Sequence, residues 1–251
     1  MIIKNPEKQD IPALRHLWKE AFGDTDDFLD LFFEKGFSPD RCQALELGGE
    51  LAAALYWFDC GWENKKIGYL YAVATAKSRQ GQGLCRALMT HTHKHLQHLG
   101  YQGAALSPAE KGLFSLYEKF GYKSFCPTDC LSVAAEEREI ALSSIDAATY
   151  RKLRKDLLPQ GGILQEGATL TFLEGYAKFY QLAGGILCAV KEGDTLYMQE
   201  YLADPKDIPA VAFALGAKTA QVRLLGKTPS AMYLSFENSH KLPTYLGILL
   251  N

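Results

Sequence analysis

No stretch of this chain of 251 residues is apolar for long enough to cross a membrane, and Met1-Ile2-Ile3-Lys4-Asn5-Pro6 lacks the apolar core of a secretion signal. Those absences predict a cytoplasmic protein with no membrane partner. There is also no basic tract and no interleaving of basic with aromatic residues. With 27 Lys and Arg against 29 Asp and Glu, the net charge is −2, so no nucleic-acid partner is expected. Six cysteines (Cys42, Cys60, Cys85, Cys126, Cys130, Cys188) contain no Cys-x-x-Cys pair, which predicts free thiols in place of disulfides or zinc. Two phosphate-binding patterns are missing as well. Without a Gly-Lys-Ser/Thr ending there is no triphosphate loop, and without Gly-x-Gly-x-x-Gly and a following acid there is no dinucleotide turn.

What is present is one glycine-containing turn, Arg79-Gln80-Gly81-Gln82-Gly83-Leu84-Cys85. The preceding stretch, Gly68 to Ala74, is apolar on both faces and reads as a strand. After the turn, Leu84, Leu88, Thr92, Leu96 and Leu99 recur at helical spacing, which predicts a helix of roughly four turns. A helix start carries unpaired N–H groups and the positive end of a dipole, so glycines at 81 and 83 would let phosphate oxygens approach the backbone. An ordinary strand-to-helix turn would use the same residues.

This stretch resembles the Gln/Arg-x-x-Gly-x-Gly/Ala coenzyme A motif of the GNAT N-acetyltransferase superfamily, with Cys85 standing where the motif has Gly or Ala. A second stretch, Leu106 to Glu110 followed by Leu113-Phe114-Ser115-Leu116-Tyr117-Glu118-Lys119-Phe120-Gly121-Tyr122, resembles that superfamily's Tyr-x-x-x-Gly-Phe/Tyr arrangement. The resemblance implies an α/β (α+β) fold with a mixed, splayed central sheet. It implies acetyl-CoA as cosubstrate, bound by the backbone around Ala72, Val73 and Ala74 and by Arg79, Gln80, Gly81, Gln82, Gly83, Leu84 and Cys85. It also implies Tyr117 at the coenzyme sulfur as general acid, although Tyr117 would equally serve as a core aromatic beside Phe114 and Phe120. The expected reaction is direct acetyl transfer to a primary amine of a small molecule or peptide. The alternative is a coenzyme-binding protein without transfer activity, whose C-terminal half binds a ligand or partner.

Along the rest of the chain, Ile2 to Lys4 reads as a strand, Leu14, Leu17, Trp18 and Phe22 as a helix stripe, and Asp24 to Phe33 as a second helix. In the family this helical pair forms one wall of the acceptor cleft, so the resemblance makes Trp18, Phe22, Phe28, Phe32 and Phe33 candidate acceptor contacts, while helical packing makes most of them core. Arg41 to Leu47 and Leu51 to Asp59 form a hairpin across Gly48-Gly49, and Leu131 to Val133 end the first sheet. His91, His95 and His98 share a helix face, but no carboxylate or cysteine completes a metal set, so no metal is expected.

From about Glu136 the order of elements repeats. Helices are expected at Asp146 to Leu157 and Leu170 to Tyr180, a hairpin at Gly185 to Leu202, a helix at Pro205 to Leu215, and strands at Thr219 to Leu224 and Met232 to Phe236. At the place of the glycine turn this copy reads Ala203-Asp204-Pro205-Lys206-Asp207, an acidic loop that would repel pyrophosphate. The expected domains are therefore 1–135, a GNAT domain with the coenzyme site, and 136–251, a degenerate GNAT-like half. That plan resembles the two-lobed enhanced intracellular survival acetyltransferases without their third domain. The resemblance makes the Asn251 terminal carboxylate a candidate base. Glu110, Asp59 and Glu46 are the others, and the chain is expected to be a monomer or homodimer.

Overall fold

The computed structural model describes residues 1–250. It divides into two compact units: Met1–Lys123 with Met232–Lys241, and Ser124–Ala231 with the stretch from Leu242.

In the first unit the elements run β1 (Ile2–Lys4), α1 (Ile11–Phe22), α2 (Asp26–Leu31), β2 (Cys42–Leu47), β3 (Glu50–Trp62), β4 (Lys65–Thr75), α3 (Leu84–His98), β5 (Gly103–Leu106) and α4 (Lys111–Glu118). Pro12 near the first turn of α1 fits the fixed φ of proline to the position where its missing N–H costs nothing. Thr25 caps α2, its hydroxyl accepting from the Phe28 amide, and α2 runs on into a wider π-type turn at Phe32–Gly36. Strands β1 to β4 pair antiparallel in chain order. The expected hairpin turns with both glycines at positive φ, and Glu63-Asn64 make a second turn of the same hand.

Strand β4 then runs parallel to β5 for three pairs, Ile67↔Gly103 to Tyr69↔Ala105, and continues to Thr75 past the end of β5. The far edge of β5 pairs with Met232 to Ser235. Leu88, Met89 and Leu96 of α3 pack on one sheet face with Leu55, Trp57 and Leu70. Trp18, Phe32, Tyr56 and Phe58 fill the other beneath α1 and α2. Leu99, expected on the buried face of α3, is 45% exposed because the helix ends one residue earlier.

The second unit runs β6 (Lys123–Ala134), β7 (Leu142–Ile145), α5 (Ala147–Leu157), β8 (Leu164–Gln165), α6 (Ala168–Glu174), β9 (Lys178–Leu182), β10 (Gly185–Glu192), β11 (Thr195–Leu202), α7 (Ile208–Ala214) and β12 (Thr219–Ser235), the last four residues of β12 being those that pair in the first unit. Apart from the two-residue β8, the order from β7 is strand, two helices, three antiparallel strands, helix and a parallel strand, as in β1 to β5. Leu187, Met198, Val211 and Val222 form the core under α7. On the opposite face Tyr150 stacks on Phe179 at 4.5 Å.

Four expectations change. Helix α6 stops at Glu174, and Lys178–Leu182 is a strand because Phe179 takes its place in the ladder opposite Cys188. The two strands expected at 219–224 and 232–236 are one strand of 17 residues. Gly226 and Pro229 suggest a turn there, but the Asp129 carboxylate accepts from the amides of Lys227 and Thr228 and keeps the segment extended. Leu131 to Val133 lie on β6, in the second unit. The units also depart from contiguous halves at 135, since the chain leaves the first unit after Lys123 and returns to it at Met232.

Candidate active site

Strand β4 carries a bulge where the site begins. Ala74 pairs with Ala54 and Tyr71 with Tyr56, so Ala72 and Val73 have no partner in the β3 register, and Ala72 is held at φ 47°. Because β4 also outruns β5, its backbone from Tyr71 to Thr75 lies beyond the parallel pairing, an edge suited to strand addition. Ala72 and Val73 are half-buried and Ala74 is buried.

A short 3₁₀ turn (Lys77–Arg79) leads into the glycines. Gly81 sits at φ 75° and Gly83 at φ 78°, where Gly83 caps the start of α3. A side chain on either glycine would meet nothing within 4 Å. The requirement for glycine is therefore conformational, and the space in front of the helix start is open. The flanking polar groups brace the turn: Gln80 donates to the Thr75 carbonyl (3.4 Å), Gln82 to the Ser78 carbonyl (3.5 Å), and Arg79 pairs with Glu50 at 3.4 Å. Leu84 is buried in the core, and the half-buried Cys85 packs against it. Burial pushes the Cys85 thiol up, partly offset by Arg86.

Tyr117 is buried in the same core, edge-on to Tyr122 (5.9 Å) and Phe120 (6.3 Å). Burial and the nearby Cys85 hold its phenol well above the ordinary tyrosine range. A phenol this weakly acidic keeps its proton at neutral pH, which leaves its hydroxyl a hydrogen-bond donor. Behind it, the Tyr122 hydroxyl meets His93 Nε2 at 2.8 Å, and burial lowers His93 to about 4. This pair was not legible as a site feature, because His93 lies off the face shared by the other histidines. His91 and His95 stack at 6.5 Å. Among the described residues no group of three His, Cys, Asp or Glu could hold a metal ion.

The expected bases are dispersed. Glu110 is exposed at the start of α4. Asp59 pairs opposite Gly68, at the end of β4 away from the glycine turn, where it accepts from the Tyr101 hydroxyl and meets Arg41 at 3.7 Å. Lys4 holds Glu46 at 2.8 Å. Asn251 lies outside the described residues.

The second unit has no glycine turn at the matching place. Asp204 instead caps the 3₁₀ turn (Pro205–Asp207) by accepting from the Lys206 amide at 3.1 Å. Its interior holds a charge cluster that sequence reasoning missed. Arg154 donates to both oxygens of Glu200, at 2.6 and 2.9 Å, with both side chains fully buried. The hydroxyls of Tyr150 (2.7 Å) and Tyr245 (3.2 Å) donate to the same carboxylate. Gln165 joins Arg154 to the C-terminal stretch, donating to the Ile248 carbonyl at 2.5 Å and accepting from its amide at 3.1 Å.

The sequence profile described as the acetyltransferase (GNAT) domain matches residues 3–125. That segment is a GNAT acetyltransferase domain. Among solved structures, a GCN5-related N-acetyltransferase from Anabaena variabilis superposes with a TM-score of 0.75 at 13% identity, covering 92% of this chain and 72% of that one. A putative acetyltransferase from Pyrococcus horikoshii gives 0.66 at 18% identity, covering 99% and 94%. Eis1 from Mycobacterium abscessus gives 0.64 at 14%, covering 91% and 66%. At these identities the likeness is one of fold, and it extends through the second unit as well as the GNAT domain. Among curated proteins none matches the chain. No helix of the described residues is long and apolar enough to cross a membrane.

Proposed function

We propose that this GNAT protein transfers an acetyl group from acetyl-CoA to a primary amine of a small molecule or peptide, by direct attack. The observation that carries the reading is the junction of a bulged, open-edged β4 with a turn whose two glycines are both left-handed and face open space. An extended pantetheine arm fits the edge at Tyr71 to Thr75. A pyrophosphate fits the amides at the start of α3, where fixed dipoles favour negative charge.

The amine's lone pair attacks the thioester carbonyl, and the C–N bond forms as the C–S bond breaks. The nitrogen loses a proton to a base, and the sulfur leaves as a thiolate that is then protonated. A backbone N–H near Val73 or Ala74, beside the bulge, would stabilise the developing oxyanion. Tyr117 is assigned to the departing sulfur. Its raised pKa makes it a neutral donor that steadies the thiolate by hydrogen bonding, since full proton transfer from so weak an acid to a thiolate runs uphill. Glu110 and the Asn251 carboxylate stand as bases for the ammonium proton.

Calorimetric titration of acetyl-CoA into the wild type and Gly83→Asp tests the coenzyme site. Micromolar binding that is lost in a folded Gly83→Asp supports it, and no binding by the wild type overturns it. For its part in steadying the departing thiolate, Tyr117→Phe should lower kcat by about 10²-fold with acetyl-CoA affinity unchanged. Undiminished turnover at saturating acetyl-CoA would remove Tyr117 from the mechanism.

A further inference from the structure

The ring of Tyr117 is held in place by the chain that follows it. That chain leaves α4 through Gly121 at φ 91°, and the amides of Phe120 and Tyr122 both donate to the Tyr117 carbonyl, at 2.9 and 3.2 Å. Tyr122 is thereby folded back on Tyr117, and the two rings meet edge-on at 5.9 Å. Both are buried, Tyr122 to 2% exposure.

The far end of the Tyr122 ring is held from another element. Its hydroxyl meets His93 Nε2 at 2.8 Å, a bond that either group can donate. Cys85, Met89 and His93 recur every fourth residue and so share one side of α3. Cys85 and Met89 pack in the core that also holds Tyr117 and Tyr122, and His93 continues that side of the helix to the Tyr122 hydroxyl. The half-buried His93 ring is itself steadied by the Phe236 ring at 5.6 Å.

A leucine and a phenylalanine would fill these two places without a polar atom. Compared with such a pair, a buried hydrogen bond adds little net stability, but it selects one arrangement where apolar side chains allow several. What the pair supplies is position.

We propose that His93 and Tyr122 are positioning residues for Tyr117: the bond between them pins the Tyr122 ring, and the pinned ring keeps the Tyr117 hydroxyl aimed at the coenzyme sulfur. This rests on the acetyl-transfer reading above. Neither residue is asked to give or take a proton.

A hydrogen bond from Tyr117 strengthens as the sulfur becomes a thiolate, so the readout is the difference between two forms of the coenzyme. Coenzyme A and acetyl-CoA are titrated by calorimetry at pH ~9, where far more of a free thiol is ionised than at neutral pH. Tyr117→Phe should weaken coenzyme A by about tenfold and His93→Leu by at least about threefold, with acetyl-CoA binding unchanged in both. His93→Gln keeps a partner for the Tyr122 hydroxyl and should restore most of the loss. His93→Leu added to Tyr117→Phe should cost nothing more, since both act through one hydroxyl. Tyr122→Phe breaks the same bond from the other side and serves where His93→Leu folds poorly.

Coenzyme A binding unchanged in both His93→Leu and Tyr122→Phe, a loss shared equally by acetyl-CoA, or a further loss on top of Tyr117→Phe would overturn this proposal and leave Tyr117 in its role. Unchanged coenzyme A binding by Tyr117→Phe would remove Tyr117 from the sulfur, and this proposal with it. Failure of the wild type to bind acetyl-CoA would instead overturn the acetyl-transfer reading itself.

Discussion

Glu200→Gln removes one charge and almost no volume, at a carboxylate that receives four hydrogen bonds inside the second unit. The Arg154 guanidinium stays buried, where its remaining partners, the side-chain and main-chain oxygens of Gln165 at 3.4 and 3.5 Å, are neutral and long. The new amide nitrogen also faces donors. Breaking a buried pair from one side costs roughly 3–5 kcal/mol, and for a chain of this length each kcal/mol moves Tm by about 2–4 °C, so Glu200→Gln should melt roughly 6–20 °C lower. Paired thermal and urea denaturation, monitored by circular dichroism, measures this. Arg154→Met with Glu200→Leu should recover part of the loss because both charges go together. Recovery stays incomplete, since the Tyr150 and Tyr245 hydroxyls lose their acceptor. A Glu200→Gln protein within about 1 kcal/mol of wild type would mean that water reaches the pair, and the account of a dry cluster would be wrong.

Three further outcomes follow from local geometry. Gly247→Ala would drive a Cβ into the Glu200 carboxylate, so it should cost about 1–3 kcal/mol and hasten carboxypeptidase release of the C-terminal residues. His93, lowered to about 4 by burial, binds protons less readily when folded than when unfolded. Stability should therefore be full above pH ~6.5 and fall by up to ~3 kcal/mol as pH drops toward 4, a slope that His93→Gln should flatten in denaturation at each pH. Ala72→Val places a β-branched residue at φ 47°, and should lower stability by about 1–2 kcal/mol and weaken acetyl-CoA binding by calorimetry, whereas Ala72→Gly should do neither.

The parts of the site legible in the sequence were those in which a local rule leaves few choices. Gly81 and Gly83 had to be glycine for the backbone they adopt, and the apolar spacing of Leu84, Leu88, Thr92 and Leu96 fixed the buried side of α3. The bulge at Ala72 was not legible, because alanine gives no hint of a positive φ that only the β3 register imposes. Arg154 and Glu200 are 46 residues apart, and each alone reads as a surface charge. Their burial depends on the two meeting. Strand β12 was misread for a related reason: Gly226 and Pro229 carry local turn signals, and a carboxylate about a hundred residues away at Asp129 outweighs them.

Strand β12 also sets a schedule for folding during synthesis. The first unit is complete through Lys123 except for the strand that closes the far edge of β5, and that strand, Met232 to Ser235, is made about 110 residues later. At ribosomal rates of about 5–20 residues per second, the edge of β5 waits unpaired for on the order of 5–20 s. An open edge for that long is a template for association with other chains, so the interval between Lys123 and Met232 is when this unit is most open to mispairing.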